Sequence, residues 1–183
     1  MFVAAVGITM AAGCVALMGG TASAAPESSG GSTTANVGVE TAISLSGLTP
    51  AFTLTGIPGA TVTTGDVPGD QTGPVTFVVT TNNFAGYAVT VGSEDATLTP
   101  PTPGTGAGQN PDTIPIGNLK VRETGATAFT PVSNLAPDTV TVHSQTVRSA
   151  EAGDDLSTDY QVAIPFVNQD TYSATLDYIA TTL

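Results

Sequence analysis

Basic residues are almost missing: Lys120, Arg122 and Arg148 are the only ones in 183 residues, against 15 acidic side chains and a formal charge of -12. Nucleic-acid binders neutralise phosphates with Lys and Arg, so nucleic acid is excluded as a partner. Electrostatic docking on anionic lipid is excluded for the same reason. Tryptophan is absent and cysteine occurs once, as Cys14. A single thiol allows neither an intrachain disulfide nor a thiolate metal cluster. No window of eleven or more residues beyond the first segment has the three-and-four apolar spacing of an amphipathic helix. A Gly-x-Ser-x-Gly nucleophile elbow is missing too. What is present is a 40 % apolar composition with only 10 % charged residues, which supplies a core rather than a disordered chain. The length suits one domain.

Residues 2–18, FVAAVGITMAAGCVALM, are nearly all apolar and run into GGTASAAP. There Ala22-Ser23-Ala24 has the small-x-small pattern of a signal-peptidase site, so residues 1–24 are expected to be a signal peptide cleaved after Ala24. The apolar run is short for a bilayer span and leads into polar sequence, so no transmembrane span is expected in the mature form. No Lys or Arg precedes the run, which points to a true start further upstream. Ala12-Gly13-Cys14 offers lipid attachment as an alternative. Its cysteine, however, is followed by apolar Val15-Ala16-Leu17-Met18 instead of a polar tether, which favours cleavage at Ala24. The remaining chain has no cysteine and must be held by its core, for which residues 25–183 suffice. A disulfide-free exported domain suits a bacterium, and the Ala/Gly/Thr-rich composition fits a high-GC Gram-positive or a salt-adapted archaeon. The expected location is secreted or extracellular, with the cell wall as one site of association.

Residues 25–35, APESSGGSTTA, read as a flexible leader. From there to Leu183 the apolar period is two. Val37, Val39, Ile43 and Leu45 alternate with small or polar residues, giving an expected first strand over Asn36 to Leu48. Further runs are Phe52-Leu54-Ile57, Val75-Phe77-Val79, Tyr87-Val89-Val91, Ile114-Ile116, Leu119-Val121, Val140-Val142, Tyr160-Val162-Ile164-Phe166 and Tyr172-Ala174-Leu176-Tyr178. Gly, Pro, Asn or Asp bound each of them. Seven to ten short strands, with abundant threonine, predict an all-β fold over 36–183: an antiparallel β-sandwich of Ig-like or jelly-roll-like type. Residues 99–113, TPPTPGTGAGQNPDT, are expected to be an exposed loop inside that domain.

Two segments, Val78-Val79-Thr80-Thr81-Asn82-Asn83-Phe84-Ala85-Gly86-Tyr87-Ala88-Val89-Thr90-Val91 and Tyr172-Ser173-Ala174-Thr175-Leu176-Asp177-Tyr178-Ile179-Ala180, resemble the cell-wall-binding WxL domains of Gram-positive surface proteins. The first is similar to that family's strand, Asx/Gly turn and Gly-Trp-x-Leu strand, the second to its closing strand. Tyr87 and Tyr178 stand where the family has tryptophan, and Val89 and Ala180 where it has the following leucine. The resemblance implies a secreted β-sandwich held noncovalently at a cell envelope.

His143 is the only histidine, so any Ser-His-Asp triad must use it as its base. In Thr139-Val140-Thr141-Val142-His143 the valines share one face, which places His143 with the threonines on the solvent face and Ser144 on the opposite one. Carboxylates gather at Asp66 and Asp70, at Glu94 and Asp95, and in EAGDDLSTD, which holds Glu151, Asp154, Asp155 and Asp159. Loop carboxylates are the ligands Ca²⁺ uses, so Asp154, Asp155 and Asp159 are the metal candidates, with a solvated acidic turn as the default. Lys120 is flanked by inward Leu119 and Val121 and is expected to point outward.

No catalytic residue or cofactor is assigned, and a non-enzymatic cell-surface or extracellular-matrix protein is expected. Val37, Val39, Ile43 and Leu45 are the candidate interaction residues. They either pack in their own sheet, which is the default, or dock in a partner of a secreted complex or a neighbouring copy of a fibre. A small hydrolase is the remaining alternative. No sorting motif precedes Leu183, so covalent wall anchoring is not expected.

Overall fold

The computed structural model describes residues 33–64, 73–134 and 139–183. The expected signal peptide, Cys14, most of the leader, Asp66 and Asp70 lie outside them. The folded unit is Val39–Leu183; the other unit, Met1–Gly38, contributes only residues 33–38, which have no regular structure.

Period-two sequence becomes strand because alternate side chains point to opposite faces of a sheet. In Val75–Thr81, Val75, Phe77, Val79 and Thr81 are buried between more exposed neighbours, and in Tyr87–Gly92, Tyr87, Val89 and Val91 are buried. Eleven strands form among the described residues. They are β1 (Ile43–Ser46), β2 (Thr61–Thr63), β3 (Val75–Thr81), β4 (Tyr87–Gly92), β5 (Thr97–Leu98), β6 (Ile114–Pro115), β7 (Leu119–Glu123), β8 (Thr130–Pro131), β9 (Val140–Gln145), β10 (Asp154–Ala163) and β11 (Asp177–Thr182). A 3-10 turn at Ile116–Asn118 leads into β7.

All pairings between these strands are antiparallel. The larger sheet runs β1-β3-β10-β7-β8, with β2 also on β10. Its axis is β10, which pairs β3 through Asp154–Thr158, β7 through Thr158–Val162 and β2 through Gln161–Ala163. The second sheet is β11-β4-β9, and β5 and β6 form a separate hairpin. One hydrophobic cluster joins Phe77, Val79, Val121 and Tyr160 of the larger sheet to Tyr87, Val89, Val91 and Val142 of the smaller. The rings of Phe77 and Tyr178 meet across it at 5.1 Å. Each such apolar side chain contributes about 1.5–3 kcal/mol by leaving water. The fold is the expected all-β antiparallel sandwich.

Several local expectations need correction. The first strand starts only at Ile43, so Val37 and Val39 lie outside any ladder and are 88 % and 79 % exposed. Ile43 and Leu45 are half-buried against the core of their own chain. Residues 51–58 form no strand, although Phe52 stacks on Tyr160 with centroids 4.4 Å apart. Tyr172 and Ala174 precede β11 instead of opening it. EAGDDLSTD is not an acidic turn throughout, because β10 already begins at Asp154. Asp154 occupies an inward position in phase with Leu156, Thr158 and Tyr160, and a carboxylate there breaks the apolar pattern that marks a strand. The stretch 99–113 closes the β5–β6 hairpin and is mostly exposed, but Asn110 is buried in it.

Candidate functional site

His143 faces inward, contrary to the alternation read from its strand. The β4–β9 ladder pairs Thr90 with Thr141 and Val89 with His143, leaving Val142 as one extra residue between them. Such a bulge shifts the phase of every residue beyond it. Val140 and Val142 point inward before the shift, His143 and Gln145 after it, and Ser144 is exposed. Only 15 % of the His143 side chain reaches solvent. Its Nδ1 lies 2.7 Å from Glu123 Oε1, and its ring is 5.4 Å from that of Tyr87.

Around this histidine the polar groups are mostly consumed by one another. The Tyr87 hydroxyl donates to Asp154 Oδ2 at 2.8 Å, Gln145 Nε2 donates to the same oxygen at 2.8 Å, and the Ala150 amide donates to Oδ1 at 3.0 Å. Burial pushes the Asp154 carboxyl up, but the hydrogen bonds from Ala150, Tyr87 and Gln145 and the charge of His143 outweigh it and hold it below the usual carboxylate range. The Tyr87 hydroxyl is pushed well above the usual range by burial and by Asp154. His143 Nε2 is buried and has no partner. A triad base must reach its nucleophile with that second nitrogen when the first is held by a carboxylate, and no described hydroxyl is there.

The metal candidates do not converge. Asp154 points inward, whereas Asp155 and Asp159 fall on the opposite face of β10 by the period of two. Asp159 is bonded to Arg122 at 3.1 and 3.2 Å and to Thr124 at 3.2 Å, with Arg122 lying 4.3 Å from the centroid of Phe129. Among the described residues no three His, Cys, Asp or Glu side chains form a metal-holding group. Leu119 and Val121 are buried and Lys120 alternates with them toward the outer face.

Tyr87 and Tyr178 come from neighbouring strands, since Tyr178 pairs with Val91 and Tyr87 with Thr182. The Tyr178 hydroxyl sits 2.6 Å from Thr158 Oγ1 and 2.7 Å from the Tyr160 hydroxyl. Tyr87 is fully buried in the core and Tyr178 is partly buried against it. The bulge, the His143–Glu123 pair and the tyrosine–threonine cluster were not read from the sequence.

An exposed constellation lies where β3 ends and β10 begins, at the end of the sandwich from which the N-terminal arm leaves. Asn82 clamps the arm: its Oδ1 accepts from the Ala42 amide at 2.7 Å and its Nδ2 donates to the Glu40 carbonyl at 2.8 Å. The β3–β4 turn is closed by Gly86 N–H to Asn83 O at 3.1 Å. Gly86 has φ 96°, and a Cβ there would collide with the Gln145 carbonyl, so glycine lets this turn abut the β9–β10 connection. Ser149 Oγ ties that connection to β3 by accepting from the Thr81 amide at 2.8 Å. Between them runs a groove of about 570 Å3 lined by Thr80, Thr81, Asn82, Arg148, Ser149, Ala150 and Glu151. Phe84 and Val147, on the two abutting turns, are 88 % and 59 % exposed. Arg148 has no carboxylate partner among the described residues, whereas Arg122 has Asp159.

Comparison with protein-family models, with characterised proteins and with solved structures gives no match to this chain. No helix among the described residues is long and apolar enough to cross a membrane.

Proposed function

We propose that this is an exported, non-enzymatic cell-surface or matrix protein that works through the ends and edges of its sandwich. The observation that carries the reading is the end described above, where Phe84, Val147 and Val39 are exposed and Arg148 has no carboxylate partner among the described residues. Aromatic and Arg side chains are enriched among residues that dominate protein interfaces. The one histidine supports the non-enzymatic part, because its second nitrogen is buried with no nucleophile bonded to it among the described residues. The WxL-like segments and the signal-like first 24 residues support export and envelope association. The test is fractionation of the source cells with mass analysis of the recovered chain. Recovery from the envelope or culture fluid, with a chain starting at Ala25, is expected; an uncleaved cytoplasmic chain overturns the proposal.

The accessory-subunit reading, in which the arm docks into a partner, is favoured by one observation: Val37 and Val39 stay exposed although Ile43 and Leu45 pack in their own sheet.

A further inference from the structure

The arm carries Val37, Val39 and Glu40, two exposed valines two residues apart followed by a carboxylate. The groove lined by Asn82 offers Arg148 as an exposed cation without a described carboxylate partner, although Glu151 lines it too, and Phe84 and Val147, two residues along the chain from Asn82 and one from Arg148, are exposed apolar groups on the turns that adjoin it. Donor and acceptor share a residue, for Asn82 both clamps the Glu40 and Ala42 backbone and lines the groove. That position decides the kind of assembly. When donor and acceptor lie at opposite ends, docking repeats into an open fibre; when they lie at one end, two copies exchange reciprocally about a two-fold axis and the assembly closes.

We infer that the occupant of the groove is the arm of a second copy, giving a reciprocal dimer in which Glu40 of each chain meets Arg148 of the other and Val37 and Val39 cover Phe84 and Val147. The inference rests on the reading of the protein as an interaction module and names its partner. Arg148 fits that role because cations are scarce: away from a matched cation, two chains of charge -12 repel one another. Glu40 delivers a carboxylate to that cation, and the valines remove the exposed phenyl ring from water.

The experiment is light scattering after size exclusion, over a range of concentrations, on the chain from Ala25 onward, which contains the whole folded unit Val39–Leu183. A dimer is expected that dissociates at least tenfold more readily in Arg148→Glu or in Glu40→Arg, and regains affinity when both changes are combined in one chain. Thermal unfolding of each variant checks that the sandwich is intact; if Arg148→Glu lowers it, Arg148→Gln serves in its place. A monomer at every concentration overturns the inference, as does a dimer indifferent to both single changes, or a ladder of larger assemblies. Because cell fractionation decides export independently, failure here leaves the proposed location standing, and failure there leaves the dimer standing.

Discussion

Three tyrosines tie this core to its polar groups, and their hydroxyls set its response to alkali. Burial holds both Tyr160 and Tyr178 above the usual phenol range; the neighbouring Tyr178 raises Tyr160 further, whereas the hydrogen bonds with Thr158 and Tyr160 partly offset the effect of burial on Tyr178, and Tyr87 is raised by burial and by Asp154. A group whose folded pKa is raised stabilises fully below its unfolded value and loses that contribution as pH climbs beyond it. Stability is therefore expected to hold up to about pH 10, the unperturbed tyrosine value, and to fall above it. Tyrosinate absorbance of these three residues is expected to rise together with loss of the β signal in circular dichroism; ionisation ahead of unfolding would contradict their burial. Tyr160→Phe is expected to cost about 1–2 kcal/mol in denaturant titrations, for the lost hydrogen bond and the altered cluster. Asp154 works in the opposite sense. Its folded pKa is lowered, so its contribution is complete above the ordinary carboxylate value and disappears as pH falls through the folded one. Asp154→Ala is expected to destabilise by about 2–3 kcal/mol at neutral pH, because the buried Tyr87 hydroxyl loses its acceptor, and to narrow the gap from wild type in acid. An equal gap at every pH would contradict that role.

Among the elements, β10 matters most because it has partners along both edges. Gln161 pairs with Thr63 on one side and Lys120 on the other, and its side chain points away from the core. There its Nε2 donates to Thr63 Oγ1 at 3.3 Å, a bond that Gln161→Pro and Gln161→Thr both lose, so the difference between the two variants tests the backbone. Gln161→Pro is expected to cost about 3 kcal/mol or more, whereas Gln161→Thr stays within about 0.5 kcal/mol; equal melting temperatures for the two would contradict a central β10. Proline is already tolerated at Pro131, in the edge strand β8, where a missing N–H faces no neighbour. The strands with unbroken alternation, β3, β4 and β7, were legible in the sequence for that reason. The early start of β10 was hidden by Asp154 at an inward position, since a half-buried carboxylate mimics a loop signal until its donors are known. His143 was misplaced because one bulged residue is invisible to a count of two. Tyr87 and Tyr178 were singled out by their place in a resembling segment, but what they touch, Asp154, Thr158 and Tyr160, depends on pairings 18 to 67 residues apart.

For the whole molecule the decisive feature is that the arm and the exposed groove share one end. The polar constellation around His143 is turned into the sandwich, while Phe84, Val147 and Arg148 face outward next to the clamp at Asn82. The sequence showed the arm's alternating valines but not the groove, because its lining comes from segments near residues 80 and 150 that only the β3–β10 pairing brings together. Absence of cysteine beyond Cys14 makes the most direct measurement clean. Chains starting at Ala25 are prepared with Glu40→Cys alone and Arg148→Cys alone, then oxidised separately and as an equal mixture. A disulfide-linked dimer is expected in the mixture at higher yield than in either sample by itself, since position 40 of one copy meets position 148 of the other. A mixture that cross-links no better than its components would contradict the exchange of arms.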